Sequence, residues 1–435
     1  VKLAVVVQRY GAEISGGAEL HARYIAEHLA PHSQVDVLTT CARDYVSWKN
    51  EFPAGATEIN GIAVHRFPVT RERDVRDFAR RSTRVFDHVH SVHDELRWLD
   101  SEGPRCPALI EHLHRTREQY DFVLLFSARY YQAFHGAWAA AGRAILVPTA
   151  EREPSLGLSI FRSMFRGVRA IMYNSPEERA LITGIADNHD VPGVVVGVGS
   201  EVPASAEPER ARQKFGLTNP YAIYVGRIDA NKGCAEMFDH FLEYLTRYER
   251  TVDLVLIGTP HLRIPAHPRI RHLGFVTDAD KFDAIAGASV LVMPSYYESL
   301  SMVALEAWAL GRPVLANARC DVLLGQCLRS NAGLYYENAR EFGAALARLL
   351  DDAPVAAALG ANGRAFYAAN YAWPVIERKY LDMFERLAAD TRLSPMAPLP
   401  GFWARRAKTA SAAAAVVDRA PSGAAMSDAT SGALP

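Results

Sequence analysis

Two carboxylates, Glu298 and Glu306, stand eight positions apart in Glu298-Ser-Leu-Ser-Met-Val-Ala-Leu-Glu306, directly behind the apolar run Val290-Leu-Val-Met-Pro-Ser295. The run predicts a buried strand, and the residues after it an apolar helix that stops at Gly311 ahead of Pro313. On a continuous helix that spacing separates the carboxylates by about 12 Å along the axis, enough for one end to hold a ribose and the other a sugar across a diphosphate. A carboxylate accepts two hydrogen bonds from a vicinal diol. The helix start between the two, with Ser299, Leu300 and Ser301, offers free N–H groups and the positive end of a dipole. The competing reading is a solvated Glu298 and a Glu306 paired with a nearby arginine.

Upstream, Tyr221-Ala-Ile-Tyr-Val-Gly-Arg-Ile-Asp-Ala-Asn-Lys-Gly233 is an apolar strand opening at Gly226 into a loop bracketed by Arg227 and Lys232, with Gly233 starting a helix. Arginine grips phosphate oxygens as a fork and lysine acts as a mobile point charge. Together they can neutralise the charge that develops on a departing nucleoside diphosphate. A basic solvated turn is the alternative. In the first half, Ser15, Gly16 and Gly17 form a loop between a first strand and a helix, where absent side chains let backbone approach phosphates from an opposite wall. The loop is not G-x-G-x-x-G and no acid ends the second strand, which disfavours a dinucleotide oxidoreductase.

Other patterns carry less. His88, His90 and His93, with His112 and His114, read as solvated helix faces, because no carboxylate and cysteine set completes a metal shell, so no metal and no cofactor is expected. Phe161-Arg-Ser-Met-Phe-Arg-Gly-Val-Arg169 interleaves apolar and basic residues at helical spacing. It suits either contact with an anionic membrane bearing a lipid-linked acceptor or packing on the domain core.

These elements need two frames. Strands and helices alternate in two series, predicting an α/β protein with two doubly wound domains facing a cleft. At 435 residues the chain can bury two cores. The expected division is residues 1–200, a linker at 201–208 (Glu201-Val-Pro-Ala-Ser-Ala-Glu-Pro208), a second domain at 209–374, a helix at 375–391 crossing back to the first, and an Ala-, Pro-, Ser- and Gly-rich disordered tail at 392–435. A net charge of −1 gives no global attraction to nucleic acid. The five scattered cysteines lack a C-x-x-C pair and argue for reduced thiols. Val1-Lys-Leu-Ala-Val-Val-Val7 reads as a buried strand, too short for a signal peptide's apolar region with its flanks. The expected setting is cytoplasmic, at the inner face of the membrane if the acceptor is lipid-linked.

Together, Gly226-Arg-Ile-Asp-Ala-Asn-Lys-Gly233, Pro294-Ser-Tyr-Tyr-Glu-Ser299, the two glutamates and Gly311-Arg-Pro-Val314 stand in the order and spacing of retaining glycosyltransferases of the GT-B fold, family 4 type, which the chain resembles over residues 1–390. The resemblance implies two Rossmann-like domains, the first meeting the acceptor and the second binding a nucleoside-diphosphate sugar. It implies hexose transfer to a glycan or lipid-linked acceptor hydroxyl, in cell-surface glycan or polysaccharide synthesis, without a required metal. Arg227 and Lys232 would hold the diphosphate, Glu306 the ribose, and Glu298 with the amides of Ser299, Leu300 and Ser301 the sugar or phosphates. Where relatives often carry a histidine in a His-Asp-Glu-Pro-like segment, this chain has Pro148-Thr-Ala-Glu-Arg-Glu-Pro154, with Glu151 in the histidine's place. An anion there needs compensation from Arg152 or a role in binding sugar hydroxyls. Two alternatives remain: a GT-B epimerase or phosphorylase, and a weakly catalytic GT-B protein that binds a glycan or a partner enzyme.

Overall fold

The structure, a computed structural model, describes residues 1–14, 16–390, 396 and 404–405. The strands are β1 (Lys2–Val6), β2 (Gln34–Thr40), β3 (Gly55–Ile59), β4 (Ile62–Phe67), β5 (His90–Ser91), β6 (Phe122–Phe126), β7 (Ala144–Val147), β8 (Ala170–Tyr173) and β9 (Gly193–Val195), then β10 (Tyr221–Val225), β11 (Asp253–Ile257), β12 (Ile270–Gly274), β13 (Val290–Met293), β14 (Val314–Asn317), β15 (Gly333–Tyr336) and β16 (Ala404–Arg405). Helices separate most of them. The fully apolar strands β6, β7, β10 and β13 are covered on both faces, as parallel strands flanked by helices must be.

The first sheet runs β3-β4-β2-β1-β6-β7-β8-β9 and the second β12-β11-β10-β13-β14-β15. Every pairing in these two sheets is parallel except the β3–β4 hairpin. In each sheet the strand order reverses beside a central strand, β1 in the first and β10 in the second. The loops leaving the carboxyl ends there form the crevice where such sheets hold ligands. The helix Trp373–Ala389 leaves the second domain and lies on the first. Phe384 stacks on Phe122 at 5.2 Å, and Ile376 and Tyr380 are fully buried in the same apolar cluster.

Of the two readings of residues 161–169 the structure bears out packing on the core, and one expectation, the solvated histidine faces, needs correcting. Phe161, Phe165 and Val168 are buried in the first domain's core, and Arg162 donates to the carbonyl of Ile185, so the apolar face offered to a membrane is spent on packing. The histidine run is not a solvated helix face throughout. His90 lies in β5, is 5% exposed and bonds Glu95 at 3.0 Å, because Glu95 is itself buried and needs partners. Most of the expected tail, 392–435, lies outside the described residues. Within it Met396 packs on the first domain and β16 pairs antiparallel with β5. No helix among the described residues is long and apolar enough to cross a membrane.

Candidate functional site

On the second domain the site begins where β10 ends. Gly233 adopts φ 71°, and a Cβ there would run into the carbonyl oxygen of Pro294, so only glycine lets this loop lie directly on the loop after β13. That approach brings Lys232 to Glu298, with Nζ donating to Oε1 at 2.8 Å. Asp229 ties the loop to itself, accepting from the Lys232 amide at 2.8 Å and pairing with Arg227 Nε at 2.5 Å. Burial works to lower the Lys232 pKa, but Glu298 and Glu151 outweigh it and hold the ammonium above its ordinary range. The loop therefore keeps two permanent cations at the strand's carboxyl end.

The second element departs from expectation. The helix is Met302–Ala309, and Ser301, its N-cap, has φ 70°, so Glu298 lies in the preceding loop and the two glutamates do not share a helix. The 12 Å helical rise consequently does not apply. The left-handed turn at Ser301 sends Glu298 toward Lys232 and leaves Glu306 on the helix facing elsewhere. Glu306 is 3% exposed, and its Oε1 accepts from Ser200 Oγ at 2.7 Å and Lys281 Nζ at 3.0 Å. Its Oε2 is buried without a hydrogen-bond partner among the described residues. An arginine partner is not what holds it. The N–H groups of Ser299, Leu300 and Ser301 make no hydrogen bond among the described residues, the condition of donors that await an anion.

The first domain supplies the facing wall. Helix Gly17–Leu29 opens at Gly16 and Gly17, with Ser15 outside the described residues. A Cβ on Gly16 would meet the carboxylate of Glu19 and, at 3.0 Å, the guanidinium of Arg9. That close fit seats the Arg9–Glu19 pair, Nε to Oε1 at 2.8 Å, beneath the loop. Arg9 lies 5.6 Å from the ring centre of Tyr45, and Arg227 lies at the same distance from it while donating to its hydroxyl at 2.9 Å. One tyrosine thus joins the two domains at the expected diphosphate cations.

Glu151, on the loop after β7, faces Lys232 and Glu298. Burial raises its pKa from 4.5 to about 7, with Lys232 pulling it down and Glu298 and Glu153 pushing it up. Arg152 does not compensate it. It crosses the cleft to Asp321 at 2.8 Å, and Lys232 with Arg129 supplies the compensation. Behind it, Glu178 accepts from the amides of Ala150 and Asn174, both at 2.5 Å, and burial lifts its pKa to about 8. Arg227, Lys232, Glu298 and Glu151 therefore converge, with Gly16 reaching them through Arg9 and Tyr45, while Gly17 makes no such contact among the described residues. Glu306 sits apart beside Lys281. Sequence reasoning missed Arg9, Tyr45, Lys281, Ser200 and the Glu102-centred network described below, whose partners are far apart along the chain.

Residues 219–352 match the family described as Glycosyl transferases group 1. The chain is 24% identical over 412 residues to the D-inositol 3-phosphate glycosyltransferase of Corynebacterium diphtheriae, covering 86% of this chain and 90% of that protein. Among solved structures it is similar to Anabaena HepE in complex with UDP, with a TM-score of 0.65 at 15% identity over 89% of this chain and 100% of that one. The sucrose-phosphate synthase of Thermosynechococcus elongatus gives a TM-score of 0.64 at 18% identity over 89% and 99%. With the paired parallel sheets and the cleft loops, the chain is a glycosyltransferase of the GT-B fold, and its second domain matches the group 1 family over residues 219–352.

Proposed function

We propose that this protein is a retaining hexosyltransferase that uses a nucleoside-diphosphate sugar and transfers the hexose to an acceptor hydroxyl. The observation that carries the reading is the buried, unpartnered Oε2 of Glu306 on the same domain as the cationic loop of Arg227 and Lys232. A buried acceptor without a donor costs stability, and a ribose diol supplies two donors. Arg227, Lys232 and the free amides of Ser299, Leu300 and Ser301 then take the diphosphate, and Glu298 and Glu151 face the sugar. The UDP complex of HepE supports a nucleoside-diphosphate donor.

In the step itself the C1–O bond to the diphosphate breaks and C1 bonds the acceptor oxygen on the same face. The acceptor proton passes to the departing phosphate oxygen, which serves as base. No side chain becomes a nucleophile. Arg227 and Lys232 balance the charge on the leaving group, the work a divalent ion performs elsewhere. The acceptor is a glycan or lipid-linked hydroxyl, and the setting is cell-surface glycan or polysaccharide synthesis in the cytoplasm, at the inner face of the membrane if the acceptor is lipid-linked.

Proton NMR of the products formed from UDP-, GDP- and dTDP-sugars tests this. An α-configured donor should give an α-linked product. A β-linked product overturns retention, and failure to consume any donor favours the weakly catalytic alternative.

A further inference from the structure

The first-domain wall of the cleft carries an ionic network that the donor reading does not use. It is built from loops at the carboxyl ends of β1, β2, β4, β6 and β7, and it centres on Glu102, which is 2% exposed. Arg129 holds Glu102 Oε1 at 2.7 Å and also pairs with Glu153. Arg73 holds Glu102 Oε2 at 3.0 Å and its carbonyl at 2.6 Å, and reaches the carbonyl of Tyr45 at 3.3 Å. Trp48 donates to the same Glu102 carbonyl at 2.7 Å. Arg9 is engaged throughout as well, by Glu19 at 2.6 Å and by the carbonyl of Arg43 at 2.8 Å.

On the donor reading above, this wall lies opposite the place of the sugar. Tyr45 touches Arg227, Glu151 faces Lys232 and Glu298, and Glu153 lies two residues beyond Glu151. An acceptor must therefore enter against it.

We infer that this wall selects an acceptor without phosphate, a neutral saccharide or polyol, an inference that rests on the glycosyltransferase reading above. Each fixed guanidinium already has its carboxylate: Arg9 has Glu19, Arg73 has Glu102, and Arg129 shares Glu102 and Glu153. The three cations meet three anions, and Glu151 adds a fourth carboxyl. A phosphate dianion needs unshared cationic donors. Taking one from this network strands a buried carboxylate, which costs more than the new contact returns. Sugar hydroxyls face no such obstacle, because each donates to the spare lone pairs of a paired carboxylate and accepts in turn. The exposed cations on the loops after β2 and β4, Arg43, Lys49 and Arg71, form no ion pair among the described residues and are the groups a phosphorylated acceptor would have to use.

The test uses the full chain saturated with whichever of UDP or GDP it binds, so that Arg227 and Lys232 are occupied. Inorganic phosphate is then titrated calorimetrically, and transfer is compared for glucose against glucose 6-phosphate and myo-inositol against its 1-phosphate. The expected result is no phosphate binding at about 10 mM and kcat/KM at least about tenfold higher for any unphosphorylated member that accepts the hexose. Glu153→Gln, which frees part of the Arg129 fork, should raise phosphate affinity about tenfold or more. Phosphate binding near about 1 mM that is lost in Arg43→Ala, Lys49→Ala or Arg71→Ala overturns the inference. So does preference for a phosphorylated acceptor, or a folded, nucleotide-binding Glu153→Gln protein that gains no phosphate affinity. Failure to bind any nucleotide instead defeats the donor reading on which the inference rests.

Discussion

Replacing Glu151 by glutamine removes a cleft carboxyl whose charge the fold resists. Burial raises its pKa from 4.5 to about 7, so the folded chain binds its proton more tightly than the unfolded chain does. Stability from this group is fully present below about pH 4.5 and is lost as pH rises through about 7. At 1.36 kcal/mol per pH unit the shift amounts to about 3 kcal/mol at most, and less to the extent that solvent reaches the half-buried side chain. Glutamine imitates the protonated form at every pH. Wild type and Glu151→Gln should therefore melt together at pH 4.5, and the variant should melt higher at pH 8.5. At about 2–4 °C per kcal/mol for a domain of this size, the gap approaches about 10 °C at its upper bound. Glu178, whose pKa burial lifts to about 8 with Glu151 adding to the rise, contributes to the pH dependence of both proteins, and its smaller rise in the variant adds to the difference with the same sign. Calorimetric melting across pH 4.5–8.5 measures it. Parallel curves, or a variant less stable at high pH, would refute the reasoning that places an ionised Glu151 against Glu298 and Glu153.

Lys232→Ala should weaken nucleoside-diphosphate binding by about tenfold or more, since a charge-assisted contact is worth about 1.5–3 kcal/mol; titration calorimetry reads the change. Gly233→Ala forces a Cβ against the Pro294 carbonyl at a left-handed φ, and should cost about 1–3 kcal/mol of stability and also weaken nucleotide binding by displacing the Lys232 loop. Removing residues 400–435 deletes β16 and should lower stability by no more than about 2 kcal/mol while leaving nucleotide affinity unchanged, checked by melting and titration of the truncated chain.

The frame was legible where burial and periodicity coincide. Strands such as Phe122–Phe126 and Tyr221–Val225 are apolar runs because both their faces are covered, and the chain cannot disguise them. The hairpin strand Gly55–Ile59 was missed because it is an exposed edge whose residues carry no apolar signal. The loop from Gly226 to Gly233 could be read as a cationic turn because its strand, glycines and charges are local. The turn at Ser301 could not, since Ser-Met-Val-Ala-Leu reads as helix and a positive φ at serine has no sequence mark. The wall of Arg9, Tyr45 and Glu102 was hidden for a different reason. Tyr45 meets Arg227 across 182 positions, and Arg73 meets Glu102 across 29, distances over which no spacing rule operates. Glu306 could be singled out from its spacing, but its partners Ser200 and Lys281 emerge only from tertiary packing.

Titration of UDP and GDP into the wild-type chain and into Glu306→Ala tests the central claim most directly. The account predicts one-to-one binding of at least one nucleotide by the wild type, and a loss of about tenfold or more in the variant, because the alanine cannot accept from a ribose diol. Binding of neither nucleotide, or equal affinity in a folded Glu306→Ala protein, would contradict it.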